Sequence, residues 1–114
     1  MKRFKDLNEN DVIYIMDDFN NLCICKIVRI YRNYGHPSNV HARFVYDYAD
    51  KYTSKRTERY FDINLNLCGD DVQLTITDAV IAYTIYLNRE DVIDEIDYQI
   101  DRLNNHKKTL EELF

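Results

Sequence analysis

The residues from 88 to 114 carry an apolar stripe with the rhythm of a coiled-coil seam, and no other stretch restricts the fold so strongly. Ile93, Ile96, Ile100, Leu103, Lys107, Leu110 and Phe114 are separated alternately by three and four positions, the a/d pattern of a heptad repeat with a lysine at one a position. Asn88 suits an N-cap, and Asp91, three residues on, suits the acidic member of a capping box. Leu87 and Val92 have the spacing of a hydrophobic staple. Glu90, Asp91, Asp94, Glu95 and Asp97 crowd the first turns while Arg102, His106, Lys107 and Lys108 lie further along, an order that the helix dipole favours. At 1.5 Å per residue such a helix would be roughly 38 Å long, more than the width of a small sheet domain, so part of it should project. The stripe needs a cover, and its spacing leaves two open: the body of its own domain, or a second copy of the chain.

Ahead of the helix the chain reads as β structure. Residues 12–16 form a short apolar run, Asp17, Asp18, Phe19, Asn20 and Asn21 supply turn chemistry, and 22–31 is a long strand interrupted by Lys26 and Arg29. Residues 32–39, with Gly35 and Pro37, read as a loop. In 40–48, Val40, Ala42, Phe44, Tyr46 and Tyr48 alternate with His41, Arg43, Val45 and Asp47, which predicts a strand with one buried face. A second alternation sets Phe61, Ile63, Leu65 and Leu67 against Asp62, Asn64 and Asn66. Gly69 and Asp70 then suit a tight hairpin turn with Gly at its first central position. It leads into Val72, Leu74 and Ile76, with Gln73 and Thr75 outward. The β-branched and aromatic content of 79–87 favours a final strand, although Thr77 also has the chemistry to cap a short helix there.

Five or six short strands joined by hairpins suggest a small antiparallel barrel, closed so as to hide its edges. The segment Asp6-Leu7-Asn8-Glu9-Asn10-Asp11-Val12-Ile13-Tyr14-Ile15, followed by a polar turn and Lys26-Ile27-Val28-Arg29-Ile30, resembles the first hairpin of SH3-like small barrels of the Tudor and KOW kind. Those open with a similar polar turn, a short V-Y-V strand and a longer K-V-x-x-I strand. The likeness covers residues 6–31, and the chain departs from it with Asn10 where a turn Gly is usual and with no Gly in the 17–21 turn. It implies a binding module and not an enzyme, and it transfers no functional residue. The expected architecture is α+β: an SH3-like antiparallel barrel over 1–87, followed by one long amphipathic helix over 88–114.

Composition narrows the function classes. At 114 residues with 46% hydrophobic content, the chain has the size of one globular domain with a modest core. It has no run of 18 apolar residues to span a membrane, and its start, MKRFKDLNEND, lacks the apolar stretch of a signal peptide, so a cytoplasmic protein is expected. Three cysteines fit a reducing compartment better than a disulfide framework. Abundant Asn, Ile, Tyr, Asp and Lys beside scarce Ala, Gly and Pro suit an AT-rich coding sequence, pointing to a bacterium or one of its phages.

Few residues offer chemistry. Cys23 and Cys25 share one face of a strand, with Cys68, His36, His41 and His106 as conceivable companions on zinc, but there is no C-x-x-C knuckle. The thiols read as buried core residues, with no metal and no cofactor. Asp17, Asp18, Asp70 and Asp71 pair carboxylates in turn segments, where aspartate commonly satisfies backbone N–H groups, and His36 and His41 are the candidate bases. With Ser38 and Ser54 the only serines, and no G-x-S-x-G, Walker or G-x-G-x-x-G signature, no catalytic site is expected.

Charge is unevenly divided. Residues 22–60 carry eight basic and three acidic side chains, whereas 61–114 carry four and twelve. Tyr34, His41, Arg43, Lys51, Tyr52, Lys55, Arg56 and Arg59 lie in or beside two loops and on the outward face of the third strand, and on a small barrel they would form one patch for phosphates and stacked bases. The leading expectation is a protein-interaction or assembly module that forms a homo-oligomer through Ile93, Ile96, Ile100, Leu103, Leu110 and Phe114, with a bacterial host protein as a further candidate partner. A nucleic-acid-binding barrel using the 34–59 face is the alternative.

Overall fold

The computed structural model describes residues 1–32, 40–50, 52–77 and 81–113. A 3-10 turn at Phe4–Asp6 precedes β1 (Val12–Asp17), β2 (Leu22–Arg32), β3 (Val40–Ala49), β4 (Arg56–Asn64), the short helix α1 (Leu65–Cys68), β5 (Gln73–Thr77), β6 (Ala82–Tyr86) and the long helix α2 (Arg89–Leu113). The strands form one antiparallel sheet in the order β4-β3-β2-β1-β6-β5. It curls into a half-barrel, and no ladder joins β4 to β5 among the described residues. Four of the expected candidates, Tyr34, His36, Lys51 and Phe114, lie outside the described residues.

The inner face of the curl is the main core. Ile13, Ile15, Ile27, Ala42, Phe44 and Ile85 are fully buried there, with Tyr46, Tyr48, Ile63 and Tyr83 nearly so. Each strand delivers them at alternate positions, as the period of two requires. Tyr83 on β6 meets Tyr46 on β3 edge-on at 5.2 Å between ring centroids and Phe61 on β4 at 5.9 Å, so aromatic rings bridge the concave side where no ladder does. Phe4 and Leu7, which the sequence pattern leaves unassigned, are also buried in this core. The 3-10 turn seats Phe4 by pairing with the chain after α1: Phe4 N–H donates to the Asp71 carbonyl at 3.0 Å and Lys5 N–H to that of Gly69 at 2.9 Å.

The first hairpin forms without the glycines usual in such turns because asparagines take their place. Asn10 has φ 70° and Asn20 φ 62°, the left-handed region that asparagine tolerates better than most residues. The Asp17 carboxylate accepts from the backbone of Phe19 and of Asn21, each at 2.9 Å, closing the turn. The expected strand over 61–67 stops at Asn64. Its side-chain oxygen accepts from Asn66 N–H at 3.0 Å and caps one helical turn that buries Leu65 and Cys68 and leaves Leu67 exposed. Gly69 ends this turn at φ −52°, so it does not open a hairpin of the expected type. A Cβ there would lie 2.9 Å from the Leu65 carbonyl oxygen, which gives the glycine a spatial reason instead. Residues 82–86 are strand, as their composition favours.

β1 and β6, which pair with each other, are each buried on both faces. Ile13 and Ile15 point into the curl, while Met16, on the opposite face, is buried with Tyr86 and Val92 against partly buried Tyr14. That small second cluster is where α2 meets the sheet. Leu87 and Val92, expected to pair as a staple, are both buried but in separate clusters. The Asn88 amide, expected to cap α2, instead clasps the backbone of Lys2, accepting from its N–H at 3.2 Å and donating to its carbonyl at 3.1 Å. Val92 is the only buried residue of the helix. The molecule measures 63 × 35 × 21 Å along its principal axes. Among the described residues no helix is long and apolar enough to cross a membrane.

Candidate functional site

The outer face of β1 and β2 and the inner flank of α2 enclose an apolar groove. Met16 forms its floor, Leu22 and Asn20 of the first hairpin one wall, and Ile96, Gln99, Ile100 and Leu103 the other, around a volume of about 300 Å³. Leu22 faces outward because its ladder partner is Met16, and Ile24, two residues on, shares that face. Ile96 is 37% exposed, Ile100 51%, Leu103 63% and Leu110 60%. The stripe read from the sequence is therefore present on the helix and open along most of its length. Ile93 is also largely open, at 42%. The heptad lysine, Lys107, is solvated and lies 3.9 Å from Glu111 one turn on.

Among the described residues the basic candidates do not gather as one patch. His41 and Arg43 lie on the outward face of β3, as expected, and with Tyr31 and Asp62 they line a shallow cavity of about 210 Å³. Arg43 is held there by Asp62 in a two-pronged ion pair at 2.9 and 3.2 Å. Arg56 sits on the same outward face but at the far end of β4, its guanidinium on Asp47. Arg59 falls opposite Tyr46 in the ladder and so points to the other side of the sheet. Tyr52 and Lys55 belong to the turn between β3 and β4, where the Asp50 carboxylate accepts from the backbone of Tyr52 and Thr53. Two members of the outward face escape the sequence reading. A bulge at Val28 sets Arg29 directly across from Arg43, and both guanidiniums lie over the Tyr31 ring, at 4.7 and 4.9 Å from its centroid.

No protein-family model matches the chain, and neither a curated protein nor a solved structure is significantly similar to it.

The remaining chemical candidates are structural in their surroundings. Cys23 and Cys25 do share a face, their thiols hydrogen-bonded at 3.6 Å with no disulfide between them. Burial, then the neighbouring Cys23 thiol, pushes the Cys25 thiol up to about 12. Cys68 donates to the Asn64 carbonyl at 3.3 Å, and burial together with the Asp71 charge raises it to about 11. At neutral pH both are therefore protonated and poorly nucleophilic. His41 lies on the outward sheet face and His106 on the exposed part of α2, away from the packed thiols. Among the described residues no three His, Cys, Asp or Glu side chains converge. Asp17 serves its turn, and Lys5, hydrogen-bonded to Asp70 at 3.0 Å, holds that carboxyl below its ordinary range.

Proposed function

We propose that this chain is a non-enzymatic protein-interaction and assembly module that self-associates through α2. The observation that carries the reading is the helix itself: Ile96, Ile100, Leu103 and Leu110 lie in register along a helix anchored to its sheet by one buried residue. An apolar stripe left open to water favours association with a matching surface. The groove against Leu22 extends that surface beyond the helix. We also read the sheet as an SH3-like small barrel. Support comes from the β1-β2-β3-β4 meander, the return of β6 to the side of β1, and the first hairpin with asparagines in its left-handed turn positions.

Sedimentation equilibrium of the wild type and of the Ile100→Asp/Leu103→Asp double variant tests this reading. The wild type should associate and the variant should be a folded monomer with an unchanged circular dichroism spectrum, because both positions are solvent-exposed in the single chain. A wild type that stays monomeric at high concentration defeats the proposal.

Nucleic-acid binding is the second reading, favoured by one observation, the pair of guanidiniums over Tyr31. Arg43 is already neutralised by Asp62, and Arg56 and Arg59 lie on opposite faces, so few phosphates would be met at once. If this reading holds, affinity for single-stranded DNA should fall with a slope of about −0.7 per phosphate contact on a double-logarithmic salt plot, and Arg29→Ala should weaken it. No binding at low salt removes it.

A further inference from the structure

The charges of α2 are segregated along its length, and that segregation bears on which way a second copy would dock. Between Arg89 and Asp101 there are six carboxylates (Glu90, Asp91, Asp94, Glu95, Asp97, Asp101) and one arginine. From Arg102 onward the described helix carries Arg102, Lys107 and Lys108 against Glu111 and Glu112. The first half is thus strongly acidic and the second slightly basic. A parallel pair would lay acidic half on acidic half and would put Lys107 against the partner's Lys107 in one seam layer. An antiparallel pair lays each acidic half on the partner's basic half.

The seam fits that orientation without a gap. Centring the two-fold axis between Asp101 and Arg102 stacks Ile100 on the partner's Leu103, Ile93 on the partner's Leu110, and Lys107 on the partner's Ile96, where Asp97 of the partner subunit borders the seam beside the ammonium. Each a position thereby meets a d position, as antiparallel helix packing requires. The six layers generated by symmetry span roughly 26 Å at 1.5 Å per residue. On one flank Gln99 meets the partner's His106 without repulsion, and on the other Asp97 meets the partner's Asn104, with Glu90 and the partner's Glu111 as the one like-charge contact at the outer ends. The second helix would lie across the mouth of the groove between Ile96–Leu103 and the first hairpin and cover Leu22, which otherwise stands 47% exposed.

We infer that the chain forms a two-fold dimer by antiparallel pairing of α2, in the register that sets Ile100 against the partner's Leu103, with Leu22 of the first hairpin completing the interface. This rests on the self-association proposed above and adds orientation and register to it.

Double electron–electron resonance on spin labels at Asn105→Cys and Glu112→Cys reads the orientation directly. Both positions are on the solvent side of the seam and exposed, and the wild type, whose own thiols are packed, serves as the labelling blank. In the antiparallel register the axial offset between the two labels grows from roughly 10 Å at position 105 to roughly 32 Å at position 112. A parallel pair gives the same separation at both. Salt supplies a second readout: antiparallel association should weaken by severalfold between 50 mM and 500 mM salt as attraction is screened, whereas parallel association should tighten as repulsion is screened. A dimer with equal label distances that tightens in salt overturns the orientation and leaves self-association standing. A monomer in every condition overturns both.

Discussion

Replacing Val92 by Ala should loosen the whole helix from the sheet, because this side chain is its one buried anchor. Val92 is 4% exposed and packs with Met16 and Tyr86. The substitution removes two methyl-sized groups, worth about 1.6 kcal/mol at about 0.8 each. The residual cavity adds to this, while the better helix propensity of Ala returns about 0.5 kcal/mol. A net loss of about 1 to 2 kcal/mol follows. With an unfolding entropy of about 2.1 cal/mol/K per residue over 114 residues, this lowers Tm by about 4 to 8 °C. Calorimetry at a dilution where the chain is monomeric provides the measurement, with Ile100→Ala as the comparison. Ile100 is half-exposed in the single chain, so its loss should cost less than about 0.5 kcal/mol at that dilution. At high concentration it should cost more, since association raises the stability of whatever binds only the folded state. Equal losses for the two variants at dilution would refute the reasoning, because the helix would then be packed on its own body along its length.

Two further outcomes can be checked on the same material. Stability should be level up to about pH 9, the ordinary thiol value, and fall above it toward pH 11 to 12, because the unfolded chain releases thiol protons that folding retains on Cys25 and Cys68. Urea midpoints at pH 8 and pH 10.5 give the measurement, and an identical midpoint at both contradicts the burial of these groups. Gly69→Ala should destabilise by about 1 to 3 kcal/mol despite the helical backbone at that position, since the new methyl group meets a main-chain oxygen. A gain in stability would show that α1 shifts freely.

The elements legible in the sequence are those whose pattern is repeated often enough to outvote local exceptions. The strand at Val40–Ala49 shows alternation over its whole length, and α2 shows the three-four spacing over several turns. Around Asn64 the pattern is too short to decide. Asn64, Leu65, Asn66 and Leu67 satisfy a period of two, yet one hydrogen bond from Asn66 to the Asn64 side chain turns the backbone helical. Phe4 and Leu7 are invisible for a related reason: a single 3-10 turn in a polar setting has no periodicity to read. The basic cluster is a different failure. Arg56 and Arg59 are an odd number of positions apart, so any strand containing both must send them to opposite faces. The alternation visible in the sequence begins only at Phe61, whereas β4 begins at Arg56. The groove's second wall, at Leu22, depends on a fold-level contact between the first hairpin and the last helix, which only the sheet order brings about.

The attachment of α2 makes it a cantilever. Beyond Val92 the described helix extends by roughly 32 Å at 1.5 Å per residue, so a 10° swing about that anchor would displace its tip by about 5.5 Å, close to one helical pitch. A displacement of that size is enough to slide one seam residue past another. The compliance of the joint therefore governs the precision of anything the helix engages. Two elements stiffen it: the Met16–Tyr86–Val92 cluster and the pair of hydrogen bonds between Asn88 and the Lys2 backbone. In this light the second residue of the chain acts as a guy-line for its other end, and Asn88→Ala would leave the fold in place while blurring the aim of the helix.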